Sequence, residues 1–266
     1  MKKLFLAAVA VLFAVTASFA IELSLAGLGV SVKGGTFLGS DRNNFDDLSS
    51  EYRDYLIASG YNLRSYDSTG FSGGGIDIFY EYQIAAKQSV VLSIGYTYID
   101  DNEYGFWGFA SEYNSYGSGV WNRYTEEEDI KITSKASAIP LNIYYKYAAA
   151  RKFNISAGFG VNIISNKFEY TRDMCYIYES NDPSNDYTDY IRRADADSQT
   201  VIVPTVNINA EFLITKYVGI FANLGYGFSG KAAYKDFSAD GDLYRDFSGA
   251  NIYFGINVYP FAFKNK

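Results

Sequence analysis

The residues that could carry out chemistry are few, and they restrict what this chain can do. Its 266 residues include no histidine and one cysteine, Cys175. Without imidazole, neither a Ser-His-Asp nor a Cys-His nucleophile can form, and one cysteine excludes a disulfide framework or a Cys-rich zinc site. The carboxylates of Asp77 and Glu81 share a predicted strand face but lie about 13 Å apart along it, which is too far for glycoside hydrolysis. We therefore expect no enzymatic activity.

Three further motifs have suggestive residue types without the context that their chemistry needs. The glycines of residues 225–231 match G-x-G-x-x-G, which binds phosphate where a strand enters a helix, but here they lie in a predicted strand followed by a polar loop. Residues 236–242 resemble the start of a calcium loop, with Phe247 where the bidentate glutamate belongs. The acidic run 126–129 is expected to be a solvated surface. We expect no cofactor and no metal.

The composition indicates an ordered β protein. Hydrophobic residues make up 48% of the chain and charged residues 20%, with a formal net charge of −7. The apolar content excludes disorder, and the acidic balance gives no electrostatic footprint for nucleic acid. With 26 Tyr, 20 Phe and 24 Gly against 4 Pro, the composition favours aromatic-rich strands. The length allows one domain, or at most two.

The N-terminus has the three parts of a secretory signal peptide. Residues 1–3 are positively charged, residues 4–15 form an apolar run, and residues 16–20 are small and fit a cleavage site. The apolar run is too short to span a membrane as a helix, although a retained N-terminal anchor is the alternative. We predict a cleaved signal peptide at 1–20 and a single β-barrel domain at 21–266.

Alternating apolar and polar residues predict eight strands. In the seventh, Val218, Ile220 and Leu224 oppose Gly219 and Asn223, the period-2 pattern of a strand with two different faces. No run of 18 apolar residues follows the signal peptide, but a closed β-barrel crosses a membrane without one. The predicted strands are 22–40, 71–83, 89–100, 130–147, 153–170, 199–213, 217–230 and 249–263.

The connections between these strands alternate in length and in charge. The long ones are 41–70, 101–129, 171–198 and 231–248. They hold 24 of the 30 acidic residues and 14 of the 26 tyrosines. The short turns carry basic residues and no acid: Lys87, Arg151, Lys152 and Lys216. Long outer loops and short inner turns are typical of outer-membrane barrels. We predict an all-β fold, an eight-stranded antiparallel up-and-down transmembrane β-barrel with four long extracellular loops.

Polar residues on the strand faces are expected to fill the lumen of this barrel, with the apolar faces towards lipid. Enclosed polar groups must pair with each other, so we predict an internal network of Lys33, Asp77, Glu81, Asn142, Lys146, Asn207 and Glu211. Aromatic residues near the strand ends, Tyr259 among them, are expected to form interfacial girdles. The alternative is a soluble eight-stranded domain whose apolar faces point inwards.

The long loops are candidates for ligand binding, because a rigid scaffold carries function on its loops. Tyr and Trp give large contact areas at low entropic cost, and the candidate residues are Tyr52, Tyr55, Trp107, Tyr113, Trp121, Tyr187 and Tyr190. The alternative is that these aromatics pack the loops against one another. Residues 46–59 are predicted to form a short helix that ends at Gly60. Cys175 is expected to be an unpaired surface thiol.

Two segments resemble a known family. Residues 138–147, a short basic turn and residues 153–162 look like the central strand–turn–strand of small outer-membrane barrels of the OmpA/OmpX type, and residues 251–263 are similar to that family's aromatic C-terminal strand. The chain departs from the pattern in residues 264–266, which follow the last phenylalanine. The resemblance implies an eight-stranded barrel in an outer membrane. It implies no single activity, because the family includes adhesins, structural barrels and small-solute conduits.

We therefore predict a non-enzymatic protein in a Gram-negative type of outer membrane, structural or adhesive, that displays acidic, Tyr-rich loops. Eight strands leave an interior just filled by side chains, which favours this function. The alternative is a narrow porin-like conduit for small solutes, because lumen glycines leave room for water. The expected partners are outer-membrane lipid and lipopolysaccharide or an equivalent, an extracellular protein ligand, and periplasmic chaperones and barrel-assembly machinery during biogenesis, but no nucleic acid.

Overall fold

The computed structural model describes residues 27–37, 54, 56–69, 72–116, 119–238 and 241–261, so the predicted signal peptide lies outside it. The strands of this part are β1 (Leu28–Phe37), β2 (Asn62–Thr69), β3 (Ser72–Ala85), β4 (Gln88–Ser115), β5 (Trp121–Ala150), β6 (Phe153–Ser180), β7 (Tyr187–Leu213), β8 (Val218–Gly227), β9 (Lys231–Ser238), β10 (Gly241–Asp246) and β11 (Gly249–Val258). A 3₁₀ turn at Pro183–Asn185 precedes β7. None of the helices in the described ranges is long and apolar enough to cross a membrane.

Eight of these strands close into a ring. Neighbouring strands pair in the order β1-β3-β4-β5-β6-β7-β8-β11, and β11 pairs back with β1. Every pairing in the ring is antiparallel. Strand β2 lies on the same edge of β4 as β3 and continues it: the β3 pairing ends at Ile99, and the β2 pairing begins at Asn102. The predicted eight-stranded antiparallel barrel is confirmed.

The barrel is apolar on its outside and polar on its inside. In β8, the side chain of Leu224 is 51% exposed, whereas the adjacent Asn223 is 9% exposed and faces the lumen. The same outward exposure recurs around the ring, for example at Val32, Ile76, Phe159, Ile208, Leu224 and Phe254. A soluble barrel would bury these side chains, whereas a membrane barrel presents them to lipid. The soluble alternative is therefore wrong.

Most predicted girdle aromatics are exposed near the strand ends, but Tyr259 is not among them. Tyr82, Tyr98 and Tyr147 lie on the outer surface, where they can meet lipid headgroups. Tyr259 is buried inside the barrel, with its ring edge-on to Phe79 at 5.3 Å. The sequence prediction was wrong for Tyr259 because this residue has the same parity as the lumen-facing Asn257, and the alternation continues by one residue past Val258, where β11 ends.

Two of the predicted long loops are extended strand over most of their length. Strands β4 to β7 have 27 to 30 residues each, whereas about 9–11 residues cross a membrane. The predicted strands therefore end too early: residues 101–129 and 171–198 are mostly paired strand, and of their described residues only 116, 119–120 and 181–186 leave the ladder. We call the projecting part the outer sheet: β2 with residues 102–115 of β4, 121–134 of β5, 166–180 of β6 and 187–199 of β7.

The described parts of the other two long connections contribute residues at the end of the barrel where the outer sheet begins. In the fourth connection, β9 and β10 pair as an antiparallel two-stranded sheet. The described part of the predicted helix is helical at residue 54 and at residues 56–58. Gly60 ends it with a positive φ of 88°, and its N–H bonds the Ile57 carbonyl at 3.0 Å while the next N–H bonds the Leu56 carbonyl at 2.9 Å. This pair of bonds is a Schellman cap, so the predicted helix end is confirmed.

An arginine substitution tests the outward apolar face. Leu224→Arg should lower the free energy of unfolding by about 2–4 kcal/mol in lipid vesicles, because the charge would lie in hydrocarbon. The matched control is Tyr190→Arg on the outer sheet, which should change stability by less than about 0.5 kcal/mol. Urea unfolding followed by tryptophan fluorescence measures both variants. Equal midpoints for Leu224→Arg and the unsubstituted protein would refute the lipid-facing assignment.

Candidate functional site

The end of the lumen nearest the short turns, which we call the lower lumen, contains a cluster of charged residues from strands on different sides of the barrel. The Nζ atom of Lys146 on β5 lies 2.8 Å from Oε2 of Glu81 on β3 and 2.8 Å from Oε2 of Glu211 on β7. The same ammonium donates to the hydroxyl of Tyr259 at 3.1 Å. Because these strands are not neighbours in the ring, the bonds cross the lumen and tie its walls together.

The carboxylate of Glu211 is almost fully buried and is fully hydrogen-bonded. Besides Lys146, it accepts a bond from Nδ2 of Asn154 at 2.9 Å, from Nδ2 of Asn257 at 2.6 Å and from the hydroxyl of Tyr259 at 2.5 Å. A buried carboxylate is tolerated only when its lone pairs are satisfied in this way. The amide of Asn257 in turn accepts from Ser31 Oγ at 2.6 Å, which extends the network to β1.

A second ion pair lies on the adjacent strands β1 and β3. The Nζ atom of Lys33 is 2.8 Å from Oδ2 and 3.0 Å from Oδ1 of Asp77, and it lies 5.4 Å from the centroid of the Tyr253 ring. Gly95 makes room for this pair, because a Cβ there would come within 1.9 Å of the Asp77 carboxylate. At Gly95, a neighbouring side chain therefore fills space that this glycine was expected to leave for water.

Two asparagine side chains form a third polar group on the inner face. Asn207 donates to Oδ1 of Asn142 at 3.2 Å and to Oγ1 of Thr205 at 3.2 Å, and Asn142 donates to Oγ of Ser93 at 3.5 Å. The structure thus places all seven predicted lumen residues on the inner face, as two ion-pair clusters and an amide pair. They line a cavity of about 90 Å³, and each charged group among them has an oppositely charged partner.

Two buried charged residues near the mouth were missed by the sequence reasoning. Glu128, which is 1% exposed, pairs with Nε of Arg172 at 2.5 Å. Arg245, which is 3% exposed, donates to the carbonyl and hydroxyl of Ser134 at 3.2 and 3.3 Å. The acidic run 126–129 is therefore not simply a solvated surface. The burial of Glu128 could have been predicted from the period-2 alternation of β5, because Glu128 lies on the same strand face as the buried Ile130.

An apolar cluster closes the barrel at the end where the outer sheet begins. We call it the plug, and its residues are Leu56, Ile99, Ile130, Ile132, Ala136, Ala138, Ile164, Phe168, Val203, Ala232, Tyr234 and Phe247. The plug combines inward residues of the wall with residues from the first and fourth long connections. The side-chain amide of Gln199 holds the fourth connection to β7, because it bonds both the N–H (2.9 Å) and the carbonyl of Ala233.

The aromatic residues near the tips of the outer sheet are stacked in pairs. Tyr113 stacks on Trp121 with ring centroids 5.9 Å apart, and Tyr187 stacks on Tyr178 at 5.4 Å with the rings inclined by 14°. Tyr113 and Trp121 lie on the outward sheet face, whereas Tyr187 and Tyr178 continue the lumen face. The structure therefore places these predicted binding residues in two distal groups and not in one patch.

The remaining predicted loop residues lie elsewhere on the outer sheet or outside the described ranges. Trp107 lies lower on the sheet and packs on Phe109 at 5.6 Å, whereas Tyr190 lies near the tip, three residues after the start of β7, and is 77% exposed. Tyr52 and Tyr55 fall outside the described residues. Cys175 is free but buried, so the expectation of a surface thiol was wrong: it sits within the sheet on β6, directly opposite Tyr190 and flanked by β5.

Local hydrogen bonds order the tips of the outer sheet. The carboxylate of Asp182 accepts bonds from the N–H of Ser184 (3.1 Å), its hydroxyl (2.7 Å) and the amide of Asn185 (3.1 Å). These bonds, led by that of the Ser184 hydroxyl, hold the pKa of Asp182 below its ordinary value. Asn181 joins the two tips, because its N–H bonds the Trp121 carbonyl at 3.3 Å and its side-chain oxygen accepts from the Trp121 N–H at 3.4 Å.

These features define an eight-stranded barrel of the outer-membrane type, with a paired polar lumen, a plugged mouth and a projecting sheet. No protein-family model and no curated protein matches the sequence. Among solved structures, the chain is similar to Ail, the attachment invasion locus protein of Yersinia pestis (10% identity, TM-score 0.31, 86% of this chain and 97% of that chain). It is also similar to the β domain of the Bordetella autotransporter BrkA (10% identity, TM-score 0.28, 88% of this chain and 99% of that chain). A third similar structure is an outer membrane channel from Pseudomonas putida F1 (8% identity, TM-score 0.24, 87% of this chain and 94% of that chain).

Breaking and replacing one ion pair tests whether the lumen is enclosed. Lys33→Met alone should lower the free energy of unfolding by about 3–5 kcal/mol, because it strands the Asp77 charge. Lys33→Met combined with Asp77→Leu should recover most of this loss. The control is Lys131→Met, whose pair with Glu103 at 2.6 Å is partly exposed and is worth about 0–1 kcal/mol. Urea unfolding in detergent gives all three values; a Lys33→Met loss as small as the control's would contradict the enclosed lumen.

Proposed function

We propose that this protein is a non-enzymatic outer-membrane surface protein whose outer sheet binds an extracellular protein ligand through its distal aromatic residues. One observation carries the proposal: the described residues of the tips are held by local hydrogen bonds and still expose large aromatic side chains. Tyr113 is 62% exposed, Tyr116 67%, Tyr187 54% and Tyr190 77%. A surface protein of this kind is oriented in the membrane with its outer sheet towards the exterior and its short turns towards the periplasm.

The order of the tips supports a binding function. A ligand that docks on the paired tips of β4–β5 and β6–β7 does not have to pay for ordering a loop, and preorganisation of this kind raises affinity. Tyrosine gives a wide amphipathic contact surface with two side-chain torsions to immobilise. Stacking of Tyr113 on Trp121 and of Tyr187 on Tyr178 restricts these torsions further.

The charge of the projecting end favours a ligand with a basic surface. The four long connections hold 24 of the chain's 30 acidic residues, including the exposed Asp182, Asp186 and Asp189 near the tips. Complementary charge steers association and selects partners more than it adds affinity. Binding should therefore be faster at low ionic strength.

Contacts with outer-leaflet lipid are the second part of the proposal. Lys135 and Lys167 lie directly opposite each other on the outward face of β5 and β6, just beyond the apolar band. Glu169 bonds both of them, at 3.1 Å for Lys135, and the hydrogen bonds from Lys167 and Lys135 hold its pKa below the ordinary value. Two ammonium groups sharing one carboxylate leave a net positive charge, which suits a lipid phosphate.

The plug favours surface display over solute conduction. Leu56 and Phe247, from different connections, meet wall residues such as Ile132 and Ile164 in one apolar cluster. An apolar cluster across the mouth gives ions no polar path. Catalysis is likewise not expected, because the charged groups of the lumen network bind one another.

Truncating the distal aromatics tests the binding function. The variant replaces Tyr113, Tyr116, Tyr187 and Tyr190 with alanine. Outer-membrane vesicles carrying it should be retained at least about tenfold less on immobilised extracellular matrix from cultured cells, because interface tyrosines are common hot spots. The control, Thr171→Ala with Ser198→Ala, lies lower on the same sheet and should leave retention unchanged. Equal retention of the aromatic variant would refute the assigned surface.

Planar-bilayer recording tests the plug. The unsubstituted protein should show no steady single-channel steps, whereas replacing residues 231–246 by a short Gly-Ser link should permit intermittent conductance, since Ala232 and Tyr234 leave the plug. Heat-modifiable gel migration verifies that both barrels are folded. Steady conductance by the unsubstituted protein would favour the narrow conduit instead.

A further inference from the structure

A second and larger cavity opens at the opposite end of the barrel, among the short turns. It has a volume of about 600 Å³, which is within the range of ligand pockets. We call it the vestibule. Its walls are the β3–β4, β5–β6 and β7–β8 turns, and its floor includes Lys146, Glu81 and Tyr259 of the lower ion-pair cluster. The vestibule is thus open on one side and closed by bonded side chains on the other.

The rim of the vestibule is basic. Lys87, Arg151, Lys152 and Lys216 line it from the three turns, and all four are exposed. Among the described residues, the ion pairs found involve none of these four side chains. The one acid in the lining, Glu81, is bonded to Lys146 at 2.8 Å. Among the described residues, therefore, no acid balances the positive charge of the rim, in a protein whose formal net charge is −7.

The spacing of these charges favours a chain of anions over a single anion. Consecutive short turns are two strands apart in the ring, so they lie about 10 Å from each other along the wall. One phosphate cannot touch basic groups on all three turns. An extended peptide advances about 3.3 Å per residue, so acidic residues three positions apart match the distance between turns.

The rest of the lining favours a peptide over a glycan. Ala86, Ala148 and Ala150 are small and leave the entrance wide. Tyr259, the one aromatic residue in the lining, is at the floor, where its ring packs on Phe79 and its hydroxyl bonds Lys146 and Glu211. The vestibule therefore has flexible cations and backbone at its rim but no free aromatic platform for a sugar ring.

We propose that the vestibule is a binding site for an extended acidic peptide segment on the periplasmic side. The side follows from the orientation given under the proposed function, but the binding itself does not depend on what the outer sheet binds. The carboxylates of the peptide pair with Lys87, Arg151, Lys152 and Lys216 in turn. Binding weakens with salt, because exposed ion pairs are screened over about 10 Å at 0.1 M.

The test uses the full mature chain refolded in detergent and a fluorescein-labelled ten-residue peptide with glutamate at every third position. Anisotropy should show saturable binding in low salt. Replacing the four rim residues, Lys87, Arg151, Lys152 and Lys216, with glutamine should weaken binding about tenfold, from four exposed pairs of modest strength. The matched control removes four exposed or partly exposed cations from the far end of the barrel, Arg123, Lys131, Arg192 and Arg193, and should leave the affinity unchanged.

A second variant tests the contribution of the cavity volume to binding while the charge of the rim stays unchanged. Ala148→Trp keeps every basic residue but fills the vestibule, so it should weaken binding by a similar factor. It also keeps the test decisive if the glutamine variant does not fold, as judged by heat-modifiable migration. Unchanged affinity in Ala148→Trp would show that the peptide binds outside the vestibule and would overturn the proposal.

Competition distinguishes the other possible ligands. Soluble peptidoglycan fragments and pyrophosphate are each added to the labelled complex. Failure of both to displace the peptide at equal concentration supports an acidic-peptide site. Displacement by pyrophosphate at equal concentration would reduce the site to a single-anion site, and displacement by peptidoglycan fragments would make it a glycan site; either result overturns the proposal. None of these outcomes alters the test of the distal aromatics.

Discussion

The structure depends on one constraint: charges enclosed in a narrow barrel must be paired within it. Lys146 meets Glu81 and Glu211 at 2.8 Å each, so removing Lys146 leaves two enclosed carboxylates without their counterion. This requirement explains the many polar residues on the inward face of the lower strands, such as Asn154 and Asn257. It also explains glycines such as Gly160, where a Cβ would come within 2.2 Å of the Asn142 side chain. The polar side chains of the lumen therefore determine where the barrel wall needs glycine, and the glycines leave the space that these side chains occupy.

The ring of strands could be predicted from the sequence because lipid outside and polar groups inside impose a strict period of two. Val218 to Leu224 shows this pattern, and the structure follows it. Beyond the membrane both sheet faces meet water, so the pattern fades, and residues 101–129 looked like loop although they pair as strand. Which inward charges meet across the lumen, as Lys146 and Glu211 do, depends on strand register and could not be read from spacing. The plug depends on contacts between distant connections and left no local signal.

The two ends of the barrel have opposite electrostatic character. The outer sheet concentrates acidic groups and stacked aromatics, whereas the short turns present Lys87, Arg151, Lys152 and Lys216 around an open cavity. Between them, the plug and the lower ion-pair cluster separate the two surfaces. Each end can therefore bind its own partner although no solute passes between the two ends. A structural change caused by binding at one end can affect the other end only through the strands of the barrel wall.

The length of strands β4 to β7 has a consequence for biogenesis. The outer sheet carries charged residues on both of its faces, and such residues cross hydrocarbon only at high cost. These hairpins must therefore be translocated while the sheet is still open at a seam. The pairing of β1 with β11 joins the first and last described strands, the contact with the greatest sequence separation and loop-closure entropy. We therefore expect the seam between β1 and β11 to close last, after the polar hairpins have passed through.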